Sequence, residues 1–372
     1  MAILEPPSSA APDGADHGAG PPLRLRQVAL VEALDALHGS ADLASLRARL
    51  GGLRDAVVPR GPLWATGGDE AVSFPEGLLL AELEQIGAAL TLERARYYVQ
   101  RLLKAAKGAR TAAINEIDLN RWKAYDDIFT DSLWLIERRD GSGVHRADYW
   151  GNFIPQIPNQ LMRRYTRRGD WVLDPFAGAG TTLIEGQRLG RNTLGVELQP
   201  ALVEHVRGLV DAEPNRQSVT SHVAQGDSTS IDFAALLAAQ GAASAQLAVL
   251  HPPYHDIIHF SDDPRDLSNA ASTEAFLTLL GRVVEQVSLA LDAGRYLALV
   301  IGDKYTRGEW VPLGFMAMQA VQQQGFMLKS IVVKDINATA GKRAQKELWR
   351  YRALVGGFYV FRHEYMFLFR KR

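Results

Sequence analysis

The chain is predicted to be an α/β protein built on a doubly wound, mostly parallel sheet, and three observations carry that expectation. From Trp171 an apolar run ends in Asp174, turns through Gly178 and Gly180, and gives way to a helical pattern over Thr181–Leu189. A second apolar run ends in the acid Glu197. Beyond Pro200, strand-like and helix-like patterns alternate towards the C-terminus. Such alternation is the pattern of helices that cover both faces of a parallel sheet.

The N-terminal elements read differently. Residues 1–23 are rich in Ala, Pro, Gly and Ser with few apolar anchors, and are expected to form a disordered tail. Residues 24–147 are expected to form a mostly helical module. Leu30, Leu34 and Leu37, then Leu43, Leu46 and Leu50, fall at helical spacing within residues 25–58. A turn-rich stretch over 59–75 leads to a longer helical region from 76 to about 110. Its distal part carries Arg94, Arg96, Arg101, Lys104, Lys107 and Arg110, with Tyr97 and Tyr98 between them. After Glu93 no acid interrupts that series before Glu116. Basic side chains with interleaved aromatics can contact phosphates and stack on bases; the ordinary alternative is a solvated helix face with its aromatics in the core. Arg94, Arg101 and Lys104 are the candidate nucleic-acid contacts.

Residues 148–372 are expected to be the α/β domain. A segment over 148–161 carries Pro155 and Pro158, which fix an extended approach and a helix start, and it runs into a helical stretch over 162–166. In the glycine turn that follows, the missing side chains let backbone N–H groups approach a ligand closely. An acid roughly 20 residues on, at the tip of the next strand, can hold ribose hydroxyls. No Walker lysine follows and the glycines do not complete a GxGxxG, which argues against a triphosphate or a dinucleotide. Downstream, 203–210 reads helical, 221–227 as a strand closing in Gly226-Asp227, and 247–251 as a buried strand. A long helix over 273–291, a strand over 296–302 and a helix over 313–324 come next. Strands over 328–335 and 358–370 form an antiparallel hairpin at one edge.

The buried strand at 247–251 ends in His251-Pro252-Pro253-Tyr254. Ligands of open α/β sheets bind at the carboxyl ends of strands. An aromatic held there by two consecutive prolines makes a rigid wall for a flat ring. His251, His255 and His259 are spaced by four, but the prolines forbid a regular helix across the first interval, so no metal site is expected. His363-Glu364 sits in a strand-like run and reads as structural.

Composition bounds the rest. Across 372 residues, Lys+Arg 41 against Asp+Glu 42 gives a net charge of -1, so a nucleic-acid partner needs locally clustered basic residues. No apolar stretch reaches membrane-span length and no signal-peptide core opens the chain; a soluble, cytoplasmic protein without membrane contact is expected. The absence of cysteine excludes disulfides and thiolate metal sites.

Two segments resemble the amino-group (N4-cytosine/N6-adenine) DNA methyltransferases. Asp174-Pro175-Phe176-Ala177-Gly178-Ala179-Gly180-Thr181-Thr182 is similar to their cofactor motif, DPFxGxGTT, and His251-Pro252-Pro253-Tyr254 to their catalytic motif, [D/N/S]PP[Y/F/W]. The resemblance covers roughly Asp148 to the C-terminus. It implies a Rossmann-like, seven-stranded sheet whose last hairpin reverses direction, and S-adenosyl-L-methionine as cofactor. The methionine end would lie on the turn formed by Asp174, Pro175, Phe176, Ala177, Gly178, Gly180, Thr181 and Thr182, with Phe153 and Pro155 as wall residues. Glu197 would take the ribose hydroxyls and Asp227 the adenine amino group.

The partner implied is DNA, with one base flipped out of the stack. Tyr254 would stack on that base, while the Pro252 carbonyl and His251 accept hydrogen bonds from its exocyclic amino group; Pro253 holds the turn. Such an amino group is a poor nucleophile because its lone pair is delocalised into the ring, so a catalyst must hold its N–H groups with acceptors and aim the lone pair at the methyl group. C5-cytosine methylation, which needs a thiolate, is excluded by the lack of cysteine. His251 departs from the family, whose adenine-N6 members usually carry Asp or Asn there and cytosine-N4 members Ser; the missing carboxylate tilts the expectation towards cytosine N4. The segment 334–357 is an expected DNA-contacting insertion with Lys342, Arg343 and Lys346 as candidates, and a restriction nuclease is a candidate companion. The alternatives are an RNA guanine-N2 methyltransferase and a non-catalytic nucleic-acid-binding subunit that kept the fold.

Overall fold

The computed structural model describes residues 22–66, 69–146, 149, 151–336 and 346–372. The expected tail thus lies outside the described residues except at its end, where Leu23 opens a strand. Lys342 and Arg343 also lie outside them, as does the side chain of Lys346. The chain packs as two compact units. One runs through Thr111 and includes Ile117–Asp126; the other comprises Ala112–Glu116 and Asp127–Arg372.

In the first unit a two-stranded antiparallel ribbon, β1 (Leu23–Arg26) and β2 (Ala71–Phe74), accompanies four helices. These are α1 (Gln27–His38), α2 (Leu43–Ala56), α3 (Glu76–Gly87) and α4 (Leu92–Lys107). The leucines at helical spacing in 25–58 are the buried stripe, with Leu30, Leu34, Leu37, Leu46 and Leu50 in one core. The region expected as one helix from 76 to about 110 is two helices. The second restarts at Thr91, whose hydroxyl accepts from Arg94 N–H at 3.2 Å, as an N-cap does. The ribbon goes beyond the expected helices; each of its strands is only four residues long, too short to show a period.

The second unit is built on one large sheet. Its strands are β3 (Leu133–Trp134), β4 (Trp171–Asp174), β5 (Asn192–Glu197), β6 (Ser221–Gln225), β7 (Ala245–Leu250), β8 (Leu291–Ile301), β11 (Phe326–Asp335) and β12 (His363–Lys371). These eight lie in the order β3-β11-β12-β8-β7-β4-β5-β6. Strands β6, β5, β4, β7 and β8 run parallel, and β12 pairs antiparallel with both β8 and β11. The eighth strand, beyond the seven expected, is β3, two residues that pair with Val333 and Lys334 of β11. It lies within the stretch expected to belong to the helical module.

The helices α5 (Gln156–Tyr165), α6 (Thr181–Leu189), α7 (Pro200–Ala212), α8 (Phe233–Ala239), α9 (Thr273–Ala290) and α10 (Leu313–Gln323) cover the sheet. The period-2 rule sorts its faces. Leu247 and Val249 of β7 pack with Ile157, Leu161 and Met162 of α5 on one side. Ala248 and Leu250 pack with Phe276, Leu280 and Val284 of α9 on the other. Helix α5 begins at Gln156, not at 162, because Pro158 falls in its first turn, where no N–H is needed.

The last strand also starts later than expected, at His363 rather than 358. Phe358 stacks on Tyr305 at 4.1 Å, and Phe361 lies 4.1 Å from Trp310. Tyr305 and Trp310 sit in an additional hairpin, β9 (Lys304–Thr306) with β10 (Glu309–Val311). Its turn residues Arg307 and Gly308 have φ of 51° and 85°, the left-handed pair that favours a tight hairpin. A further helix, Lys346–Gly356, lies between β11 and β12.

Candidate active site

Because β4 is flanked by β5 on one side and β7 on the other, chain connections diverge around it, and a crevice opens at the carboxyl ends of these strands. A cavity of about 770 Å³ fills this crevice, a volume ordinary for small-molecule sites. Residues Pro175–Ala179 after β4, Glu197 at the end of β5, Asp227 after β6 and His251 to Tyr254 after β7 all line it. Among the twelve expected cofactor residues, Phe153, Pro175, Phe176, Ala177, Gly178, Thr181, Glu197 and Asp227 reach the cavity. Pro155, Asp174, Gly180 and Thr182 do not.

Asp174, Gly180 and Thr182 hold the turn from behind, whereas Pro155 stands at the start of α5. The buried Asp174 carboxylate accepts from Phe176 N–H at 3.0 Å, and burial pushes its carboxyl up to about 6. Gly180 has φ 75° and forms the N-cap of α6; a Cβ there would lie 2.8 Å from Val206 Cγ1. Thr182 is buried in the first turn of α6.

The glycine turn departs from expectation in one respect. Its N–H groups at Gly178 and Gly180 are not directed at a ligand: Gly178 N–H donates to Glu197 Oε2 at 3.0 Å, and Gly180 N–H to the Ala177 carbonyl at 2.7 Å. Gln199 N–H donates to the other Glu197 oxygen, also at 3.0 Å. The turn therefore orients the acid. Burial raises the Glu197 carboxyl above its ordinary value, against the lowering pull of these donors. Asp227 accepts from Thr229 N–H and hydroxyl at 2.9 and 2.8 Å, which closes the turn after β6. Thr181 hydroxyl donates to Asn152 Oδ1 at 2.6 Å and ties the turn to the segment before α5. Tyr149 and Phe260, 6.1 Å apart between ring centres, add an aromatic wall that no sequence motif marks.

At the other end of the cavity, the His251 ring meets the Phe153 ring edge-on at 4.9 Å. His251 Nε2 lies 3.2 Å from Tyr254 Oη, and Tyr254 O–H donates to Glu364 Oε2 at 2.9 Å. Glu364 Oε1 is paired with Lys334 Nζ at 3.2 Å, and both residues line the cavity. Burial pushes the His251 imidazole down to about 4 and the Tyr254 hydroxyl well up. Glu364, which reads as structural in the sequence, thus belongs to the site. Its position in an apolar strand gives no local signal; only the β12 pairing brings it beside β7's end. The three spaced histidines diverge: His255 bonds the Ala270 carbonyl, and His259 bonds Asn269 and Asp262. Among the described residues, no group of three or more His, Asp or Glu is placed to hold a metal ion.

On α4, Arg94 and Lys104 are exposed. Arg101 is engaged within its own unit, paired with Glu82 and bonded to Gln85. Among the described residues, no helix is long and apolar enough to cross a membrane.

Residues 93–207 match the family described as DNA methylase. Among curated proteins, the chain is 40% identical over 75 residues to the type II methyltransferase M.MjaII of Methanocaldococcus jannaschii, spanning 20% of this chain and 14% of that one. It is 32% identical over 101 residues to the type II methyltransferase M2.DpnII of Streptococcus pneumoniae, spanning 26% and 34%. The matched segments thus cover no more than about a third of these relatives' lengths. Among solved structures, one similar chain is a SAM-dependent methyltransferase from Geobacter sulfurreducens in complex with S-adenosyl-L-homocysteine, with 12% identity and a TM-score of 0.37, over 59% of this chain and 90% of that one.

Proposed function

We infer that this chain, which matches the DNA methylase family over residues 93–207, is an amino-group DNA methyltransferase and transfers a methyl group from S-adenosyl-L-methionine to an exocyclic amino group of a flipped-out DNA base. The single observation that carries the reading is that the oriented Glu197 and the His251-to-Tyr254 turn open into one cavity. The residues fit the cofactor. Glu197, held by two backbone N–H groups, keeps lone pairs to accept from ribose hydroxyls, and Phe153, Phe176 and Tyr149 supply apolar walls. Asp227, which also lines the cavity, would take the adenine amino group.

When bound, S-adenosyl-L-methionine supplies a methyl carbon on a sulfonium, which departs as a neutral thioether as the amine's lone pair forms the new N–C bond. The protein's part is orientation and electrostatics. Tyr254 offers its ring face to the target base. His251 and the Pro252 carbonyl accept the two amino hydrogens, which turns the nitrogen lone pair out of conjugation, and the nitrogen then releases one proton to solvent. The Tyr254 hydroxyl, bonded on both sides, fixes the ring that does the stacking. Cytosine N4 is favoured over adenine N6, because His251 stands where a carboxylate or amide serves adenine-N6 enzymes.

The test is incubation with methyl-labelled S-adenosyl-L-methionine and unmodified genomic DNA, with bulk RNA in parallel, followed by nucleoside mass spectrometry. The expected product is N4-methyldeoxycytidine. N6-methyldeoxyadenosine would move the target base, label in RNA alone would move the substrate class, and no label with a working control would remove the enzymatic reading.

A further inference from the structure

The hydrogen-bond chain at the base end of the cavity has a direction. Glu364 is held as an acceptor by Lys334, whose Nζ lies 3.2 Å from Oε1 and which is itself buried. The Tyr254 hydroxyl owns one proton, and it points to Glu364 Oε2. Tyr254 Oη therefore has only lone pairs left for His251 Nε2 at 3.2 Å, so Nε2 must be the donor. A neutral imidazole with a proton on Nε2 has none on Nδ1. No described residue hydrogen-bonds Nδ1, and His251 lines the cavity.

We propose that Glu364, acting through the Tyr254 hydroxyl, locks His251 as the Nε2–H tautomer, so that bare Nδ1 is the acceptor offered to the target amino group. The proposal rests on the function inferred above and deepens it. With the opposite tautomer His251 would present an N–H to an N–H, a repulsive pairing, and the amine could not be held for attack. Glu364 is thus a positioning residue. It acts through the Tyr254 hydroxyl and decides which face of hydrogen-bond chemistry the imidazole shows. It also accounts for how a histidine can stand in for an acceptor-only side chain: the ring is made acceptor-only on its cavity side by the partners on its other nitrogen.

The experiment uses the full chain labelled with ¹⁵N-histidine, with the His251 signals assigned by their loss in His251→Gln. In the wild type, Nε2 is expected to be the protonated nitrogen and Nδ1 the bare one. In Tyr254→Phe and in Glu364→Gln, a mixture of tautomers is expected. In Glu364→Gln, kcat for methyl transfer should fall by roughly tenfold to hundredfold, less than for removal of a group that bonds the transition state directly, with KM for S-adenosyl-L-methionine unchanged. A proton on Nδ1 in the wild type would overturn the proposal and leave the methyltransferase reading standing. So would unchanged kcat in a Glu364→Gln protein whose tautomers are mixed. The expected tautomers in a wild-type protein that methylates no nucleic acid would instead overturn the function, and with it the purpose assigned to the lock.

Discussion

Gly302, one residue beyond the end of β8, stands against the ring of Tyr254: a Cβ at this position would lie 2.9 Å from Cε2 and 3.3 Å from Cδ2. The bare backbone is what lets the tyrosine lie flat between the end of β8 and Glu364. Gly302→Ala should displace the ring and cost about 1–3 kcal/mol of stability, as overpacking usually does. Methyl transfer should drop more than cofactor affinity. Calorimetric titration of S-adenosyl-L-methionine beside a turnover assay measures both, and equal losses in the two would show that Gly302 does not act through Tyr254.

Glu197 is held by Gly178 N–H and Gln199 N–H, which leaves its remaining lone pairs facing the cavity. Glu197→Ala removes a carboxylate acceptor for the ribose and should weaken S-adenosyl-L-methionine binding roughly tenfold to hundredfold, the equivalent of one or two charge-assisted hydrogen bonds. Equilibrium binding in the absence of DNA checks it. Unaltered affinity would move the cofactor away from the β5 tip.

His251 and Asp174 should make stability respond to acid in opposite directions. Burial lowers the folded His251 from 6.5 to about 4. Between those values the unfolded chain binds a proton that the folded chain excludes. This contribution is therefore complete above 6.5 and is lost as the pH falls towards 4. Asp174 is raised from 3.8 to about 6, so the folded chain takes up its proton first and gains stability as the pH falls through that window. On going from pH 7 to pH 5, His251→Asn should lose less stability than the wild type, and Asp174→Asn more. Urea unfolding at both pH values measures the difference; parallel losses in all three proteins would contradict these assignments.

How much of the molecule is legible in its sequence depends on how far apart the cooperating residues lie along the chain. Glu197 and Gly178 belong to one strand–turn–helix–strand unit, so spacing alone exposes the acid and the glycine. The alternation after Pro200 reveals the sheet, because each strand there is flanked by clear helical periodicity. Glu364 lies 110 residues from Tyr254. It sits in a strand whose alternation reads as ordinary core, and nothing local distinguishes it from a ladder residue. β3 escapes for a different reason: two residues, Leu133 and Trp134, are too few to show any period. The break before Thr91 follows Gly87, the last residue of α3, and is masked because Ala88, Ala89 and Leu90 between the two helices are good helix formers.

The basic residues of α4 should not behave alike. Arg94 and Lys104 are exposed, whereas Arg101 is occupied by Glu82 and Gln85. Charge reversal of Arg94 and Lys104 should weaken DNA binding and flatten its salt dependence, by roughly one unit of log–log slope for each phosphate no longer neutralised. Arg101→Gln should instead lower the melting temperature with little effect on the salt slope. Binding isotherms across a salt series discriminate the two. If Arg101→Gln changes the slope and the exposed pair does not, DNA does not lie on this face.

Lys334 and Glu364 are cross-strand neighbours in the β11–β12 ladder, one pair inside the point where β11 ends at Asp335 and β12 begins at His363. The pair works as a clasp at the neck of a loop. A segment exchanged beyond that neck should leave the groups below it in place, provided that the stacking of Phe358 on Tyr305 and of Phe361 on Trp310 is kept. An engineer wishing to redirect the protein would cut and rejoin there, outside the clasp, and leave Lys334 and Glu364 untouched.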